Sequence, residues 1–255
     1  MSKGTALITG ASSGIGEEFA RLCAADGYDL ALVARTGSRL EELAKELSKA
    51  HSIQAQPFTA DLADPEAREA VFRQTRGMGI EILINNAAFG LRGPFAETDW
   101  WMEDRMIHVN ITALAQLTKM FLPEMLKKRS GRILNVASTA GFVPGPFMSV
   151  YYASKAFVLS FSHAVANEVA GSGVTVTVLC PGPTDTRFKE TAGIANSTLF
   201  KGPVMSAAEV ANIGYKGMMA GRVEVVAGPR NRLVAFGSRL VSRPRLAEIA
   251  RKLNE

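Results

Sequence analysis

Seven short apolar runs, each followed by a longer segment of helical spacing, constrain this chain more than any other feature. Ala6–Thr9, Leu30–Ala34, Ala55–Thr59, Ile82–Ile84, Ile133–Val136, Val174–Leu179 and Val223–Ala227 have strand length, and most are continuously hydrophobic. Alternation of apolar and polar residues marks a strand with one wet face, whereas a continuous run marks one covered on both. Strands that alternate with helices in this way imply a parallel sheet with right-handed crossovers. Helix punctuation agrees. Asp64-Pro65 reads as an N-cap with Pro at the first helical position, and Ser206 to Glu209 has capping-box spacing. Gly27 and Gly221 stand where helices stop, and Leu40, Leu43 and Leu47 share a helix face. With 255 residues and no linker or repeat, one α/β domain over 1–255 is expected: a doubly wound sheet of seven parallel strands with helices on both faces.

Composition narrows the setting. The chain is 47% hydrophobic and 21% charged, which excludes wholesale disorder. No apolar run approaches the ~18 residues of a membrane span. Two cysteines, Cys23 and Cys180, make no disulfide framework and suit a reducing compartment. The N-terminus has no signal-peptide pattern, so a cytoplasmic protein is expected. The net charge of +5 sits in the tail. From Arg222 onward eight basic residues face three acidic ones, so the body is neutral and nucleic acid is not its expected partner.

Ligands of doubly wound sheets bind beyond the carboxyl ends of the strands. There the first run breaks into Thr9-Gly10-Ala11-Ser12-Ser13-Gly14-Ile15-Gly16 and enters a helix. Glycines allow the tight turn and a close approach of phosphate to backbone, and the helix N-terminus offers free N–H groups. The arrangement is Rossmann-like, although the Gly-x-x-x-Gly-x-Gly spacing differs from the general fingerprint. The second strand ends at Arg35, where an NAD site usually carries an acidic residue. A guanidinium pairs with a 2′-phosphate, so NADP(H) is favoured over NAD(H); the alternative is a solvated surface Arg35. Arg39 is a possible helper. No metal site is indicated.

After the fifth strand stands Ser138, and a long helix opens with Tyr151-Tyr152-Ala153-Ser154-Lys155. Tyr151 and Lys155 lie one turn apart on one face. An ammonium ~4 Å from a phenol at a dielectric of ~20 is worth ~4 kcal/mol, enough to bring its pKa from ~10 to ~7. That is the range in which general acid–base catalysis works best. Tyr152, three residues from Lys155, competes for the role.

These motifs together resemble the short-chain dehydrogenase/reductase family from about Gly4 to Gly228. Besides the turn at Thr9–Gly16, Asp61-Leu62 matches the family's adenine-contacting pair, and Asn85-Asn86-Ala87-Ala88 its Asn-Asn-Ala-Gly motif. Pro181-Gly182 and Thr186 match the segment at the nicotinamide end. The resemblance implies that Ser138, Tyr151 and Lys155 are catalytic, with Lys155 also on the nicotinamide ribose. It selects Tyr151 over Tyr152 and gives Asn110 a part in holding a proton-relay water. It further implies hydride transfer between the nicotinamide and a carbonyl or secondary alcohol. Ala88 departs from the family's glycine; a positive φ there would cost ~1 kcal/mol.

The family's substrate cover falls at about 187–205, where Phe188, Ile194, Leu199, Phe200 and Met205 stand. With Phe142, Val143, Phe147, Met148 and Phe89 they suggest an apolar pocket for a lipophilic ketone, aldehyde or acyl chain. Arg92 and Arg187 are candidate cations for an anionic substrate. The tail, about 229–255, reads as one or two basic amphipathic helices, expected to pack on the body or another subunit in preference to a membrane surface. By resemblance the long helices after Thr98 and Tyr151 pair in a homo-dimer or homo-tetramer. The rival reading is a non-catalytic NADP-binding regulator of the same fold; dehydration or epimerisation is a third.

Overall fold

The computed structural model describes residues 3–194, 197, 202 and 204–254. Its strands are β1 (Thr5–Thr9), β2 (Asp29–Ala34), β3 (Ala55–Thr59), β4 (Ile80–Asn85), β5 (Gly131–Val136), β6 (Val174–Cys180), β7 (Thr184–Asp185), β8 (Met205–Ser206) and β9 (Glu224–Val226). Seven form one sheet in the order β3-β2-β1-β4-β5-β6-β9, and every pairing is parallel. The seven expected strands are all present, with ends displaced by two residues at most. The additional β7–β8 pair is a two-residue parallel ladder, too short to leave a periodic signal.

The helices are α1 (Gly14–Ala25), α2 (Gly37–His51), α3 (Pro65–Thr75), α4 (Trp100–Ile107), α5 (Leu114–Lys128), α6 (Ser149–Glu168), α7 (Phe188–Thr191), α8 (Ala207–Met219), α9 (Pro229–Gly237) and α10 (Arg243–Asn254). Asp64 caps α3 through the Glu66 N–H, and Ser206 with Glu209 forms a reciprocal capping box on α8. α4 runs into α5 through a π-helical stretch, His108–Ala113. No helix among the described residues is long and apolar enough to cross a membrane.

Continuous apolar strands are explained by two cores. Ile8, Leu30, Leu32, Ile82 and Ile84 pack on one side against Phe19, Leu40, Leu43 and Val210 of α1, α2 and α8. Leu7, Val33, Leu83, Ile133 and Val176 pack on the other against Leu117, Phe121 and Val165 of α5 and α6. β3 is the exception: it lies at the edge and is largely exposed, which is where Pro57 is tolerated. From β1 the chain builds outward through β2 and β3, then returns to add β4 on the other side. The crevice at that reversal, between the carboxyl ends of β1 and β4, is where such sheets hold their ligands.

Candidate active site

A cleft of about 480 Å³ opens along the carboxyl ends of β1 to β6. At one end, Gly10 and Gly14 have φ of 67° and 59°, a left-handed conformation that glycine adopts without the usual Cβ penalty. Ser12, Ser13, Gly14 and Ile15 line the cleft where α1 begins. The positive end of the helix dipole is thus directed at any anion in the turn. Gly16 lies behind the wall: a Cβ there would run into the Gly10 carbonyl and the Asn86 amide. Its role is to let α1 approach β1.

Asn86 holds the turn from beneath. Its backbone N–H donates to Thr9 Oγ1 at 2.9 Å, and its side-chain amide donates to the Thr9 and Gly10 carbonyls at 3.0 and 3.3 Å. Ala87 adds a second N–H to Thr9 Oγ1 at 3.0 Å. Asn86 and Ala87 line the cleft, but the Asn86 donors are engaged by the turn. Ala88 keeps a negative φ, so its methyl group carries no left-handed strain.

Arg35 is exposed on the rim beside Asp61, whose charge it helps stabilise. Burial acts to raise the Asp61 pKa, but Arg105 at 2.6 Å and the Ala63 N–H hold the carboxyl below its usual range. The carbonyls of Leu62 and Ala63 accept from the buried Arg68 guanidinium at 2.8 and 3.0 Å. Arg68 reaches this loop from the helix that follows it and Arg105 from α4, 44 residues away; neither carries a signal in the sequence. Arg39 is paired with Glu17 and Glu42 at 3.1 and 3.2 Å, and so is committed away from the cleft. Pro181, Gly182 and Thr186 close the opposite wall; a Cβ on Gly14 would lie 3.1 Å from the Thr186 methyl.

The far end of the cleft holds Ser138, Tyr151 and Lys155. Ser138 Oγ accepts from the Ala140 N–H at 3.1 Å and donates to the Pro181 carbonyl at 3.4 Å, and its proximity acts to lower the Tyr151 pKa. Tyr151 and Lys155 share a face of α6 as expected, but their electrostatics differ from expectation. Lys155 is buried and its ammonium donates to the Val136 carbonyl at 2.8 Å, 5.8 Å from the centroid of the Tyr151 ring. Burial brings the Lys155 pKa down to about 8. Burial also raises the phenol of Tyr151, and the Ser138 hydroxyl offsets only part of that. The phenol is therefore not drawn toward 7: the lysine is itself desolvated and directs its charge at a carbonyl.

Tyr152 is excluded from the same role by its own partner. Its ring stands edge-on to Tyr151, and its hydroxyl donates to Asn254 Oδ1 of α10 at 3.1 Å. Asn110 is not at the cleft. Its amide donates to the Phe89 carbonyl and Ser154 Oγ at 3.0 and 3.1 Å, and its carbonyl accepts from the Phe89 N–H at 3.1 Å. Those bonds tie the β4 loop to α6 through the side chain, whose oxygen keeps a second lone pair.

Of the expected substrate side chains, Phe89, Met148, Phe188 and Ile194 line the cleft, with Phe188 packed 5.2 Å from the Tyr151 ring. Phe142 and Met205 pack into the cores instead. Val143 joins the cluster around Met148, and Phe147 lies under the Arg251 guanidinium. Leu199 and Phe200 fall outside the described residues. Arg187 lines the cleft, whereas Arg92 donates to the Asn254 carbonyl at 2.6 Å. Asn254 also donates to the Pro146 carbonyl at 2.9 Å, so the end of α10 ties the Tyr152 side of the cleft to its loop. A side chain so far along the chain from its partners carries no local sequence signal.

A glycine turn facing a Ser–Tyr–Lys cluster across one elongated cleft fits a dinucleotide, with phosphates at α1 and the nicotinamide near Tyr151. This is the class of nicotinamide-dependent oxidoreductases. The family model for short chain dehydrogenases matches residues 4–196, and the chain belongs to that family. A short-chain dehydrogenase from Sphingobium yanoikuyae in complex with NADPH superposes with a TM-score of 0.85 at 35% identity, covering 93% of this chain and 94% of that one. The bulky-bulky ketone specific alcohol dehydrogenase from Comamonas testosteroni gives 0.81 at 29% identity, with 94% and 93% covered. Very-long-chain 3-oxoacyl-CoA reductase of Phaeosphaeria nodorum is 37% identical over 177 residues, 67% of this chain and 52% of that protein. Nodulation protein G of Rhizobium meliloti is 37% identical over 182 residues, 69% of this chain and 71% of that protein. The chain spans about half the length of the 3-oxoacyl-CoA reductases it matches.

Proposed function

We propose that the protein is an NADPH-dependent reductase of a carbonyl group on an apolar substrate, with 3-oxoacyl chains the first class to test. The observation that carries this is the convergence of Ser138, Tyr151 and Lys155 in the cleft that also holds the glycine turn and Arg35. The names of the matched reductases and the NADPH complex of the Sphingobium relative support it. Phe89, Met148, Phe188 and Ile194 supply the apolar wall.

In this reading the turn and the α1 N-terminus hold the pyrophosphate, Arg35 faces the 2′-phosphate, and the segment from Pro181 to Thr186 covers the nicotinamide. When bound, the nicotinamide supplies the hydride. Ser138 donates a hydrogen bond to the substrate oxygen, and Tyr151 delivers the proton that this oxygen takes up. A phenol whose pKa is raised by burial stays protonated through the neutral range, which suits reduction. Lys155, anchored on the Val136 carbonyl beside the phenol ring, would hold the nicotinamide ribose next to Tyr151. Asn110 and Ser154 act by position, since Ser154 Oγ joins the Asn110 amide to the Tyr151 carbonyl.

Oxidation of NADPH by a panel of 3-oxoacyl thioesters and bulky ketones tests the reading. Turnover is expected with at least one substrate and loss of it in Tyr151→Phe. No turnover with any substrate, or full turnover in that variant, overturns it. The reading includes a homo-oligomer through α6, supported by exposed Phe157 stacked on Phe161 at 5.6 Å; light scattering tests that.

A further inference from the structure

The tail meets the expectation of packing on the body only in part. α10 is seated: Leu246, Ala250 and Asn254, four residues apart, are buried, and Asn254 is latched to Tyr152 and Pro146. α9 is seated only through its other face, where Ala235 is buried. Leu233, Phe236 and Leu240 are 72%, 61% and 74% exposed. At 100° per residue these three fall within about 60° of one another around the helix axis and its final turn. Arg232 and Arg239 flank that stripe on one edge and Arg230 lies beyond the other. Exposed Arg243 and Arg245 follow at the start of α10, whose outer face shows Ile249 and Leu253. Among the described residues, none of Arg230, Arg232, Arg239, Arg243 and Arg245 has an acidic partner.

An apolar stripe edged by arginines without acidic partners, Arg232 donating only to the Val226 carbonyl at 3.3 Å, specifies its occupant. A second copy meeting it about a two-fold axis would set Arg232 and Arg239 against their own equivalents, with no acidic residue on α9 to separate them. Nucleic acid would meet the arginines but leave the leucines and Phe236 in water. A bilayer with anionic headgroups satisfies both, because apolar side chains enter the acyl boundary while guanidinium groups stay at the phosphates.

We propose that α9 and the outer face of α10 form a docking surface for an anionic lipid bilayer. α9 packs beside the Thr139–Phe142 turn that follows Ser138, so docking brings the substrate end of the cleft near the lipid. The proposal does not depend on the reading of the reaction.

The test is sedimentation of the full chain with phosphatidylcholine vesicles, with and without phosphatidylglycerol. Binding is expected to the anionic vesicles, about tenfold or more above the neutral ones, and to weaken as salt is raised. The double variant Leu233→Ser, Phe236→Ser should lose it while keeping the wild-type melting temperature, both side chains being exposed. Absence of pelleting at low salt, or pelleting that survives the double variant, overturns the proposal. So does a wild-type oligomer that the double variant converts to a smaller species, since a second copy would then cover the face.

Discussion

The two ends of the cleft are built differently. At the glycine turn, contiguous residues between Thr9 and Gly16 set the geometry, and Asn86 braces them from the neighbouring strand. At the Tyr151 end the walls come from the β4 loop, the turn after β5, α6 and α7, with the last residue of α10 bracing Tyr152 from outside the cleft. A backbone-built end tolerates side-chain change provided its glycines remain. A side-chain-built end depends on groups far apart in the chain, so its losses spread through packing and hydrogen bonds.

Four experiments break or sharpen that contrast. The largest effect is expected from Tyr151→Phe: turnover should fall by ~10³-fold or more, near the upper range for a general acid. NADPH affinity by fluorescence titration should stay unchanged, because the turn end is untouched. Lys155→Met should lower turnover by ~10²-fold. It also carries a stability signature. The unfolded chain keeps this lysine protonated to its ordinary 10.5, whereas the folded protein sheds the proton near about 8. Between those values the unfolded state binds more protons, so stability rises with pH from 8 toward 10. Lys155→Met should flatten that slope in denaturant titrations across the same range.

Arg35→Asp addresses the other end. It should shift the ratio of NADPH to NADH affinity by ~10–100-fold toward NADH, the worth of a charge-assisted pair replaced by repulsion. An unchanged ratio would remove Arg35 from cofactor selection. The smallest effect is expected from Asn254→Ala, which frees Tyr152 and the Pro146 carbonyl. The substrate KM should rise ~3–10-fold, the value of one or two buried hydrogen bonds, with NADPH affinity unaltered. Equal changes in both constants would show that the two ends are not independent.

The same contrast explains what could be read beforehand. Continuous hydrophobic runs such as Leu30–Ala34 announce a doubly covered strand because burial on each face acts on every residue. Gly10 and Gly14 announce their turn because backbone sterics are local. Tyr151 and Lys155 announce a shared face because helical period fixes it within one turn. Long-range partners left no such mark. Arg105 on Asp61 and Asn254 on Tyr152 each cross more of the chain than any local rule spans. Asn110 was identified by its motif, but its side-chain bonds to Phe89 and Ser154 left no mark in the sequence. Tyr151 was identified too, but its environment raises its pKa where proximity to Lys155 alone implied the reverse.

From sequence alone came the seven-stranded parallel sheet and the glycine turn, while resemblance to the family singled out Ser138, Tyr151 and Lys155. The sheet and the turn follow from forces acting over a few residues: steric limits on φ and ψ, helical period, and burial on both faces of a strand. Only the tertiary structure decided which way the Lys155 ammonium turns, which tyrosine is free, and which leucines of the tail remain in water. Those outcomes depend on desolvation and on competition among partners brought together by the fold, and neither exists until distant segments meet.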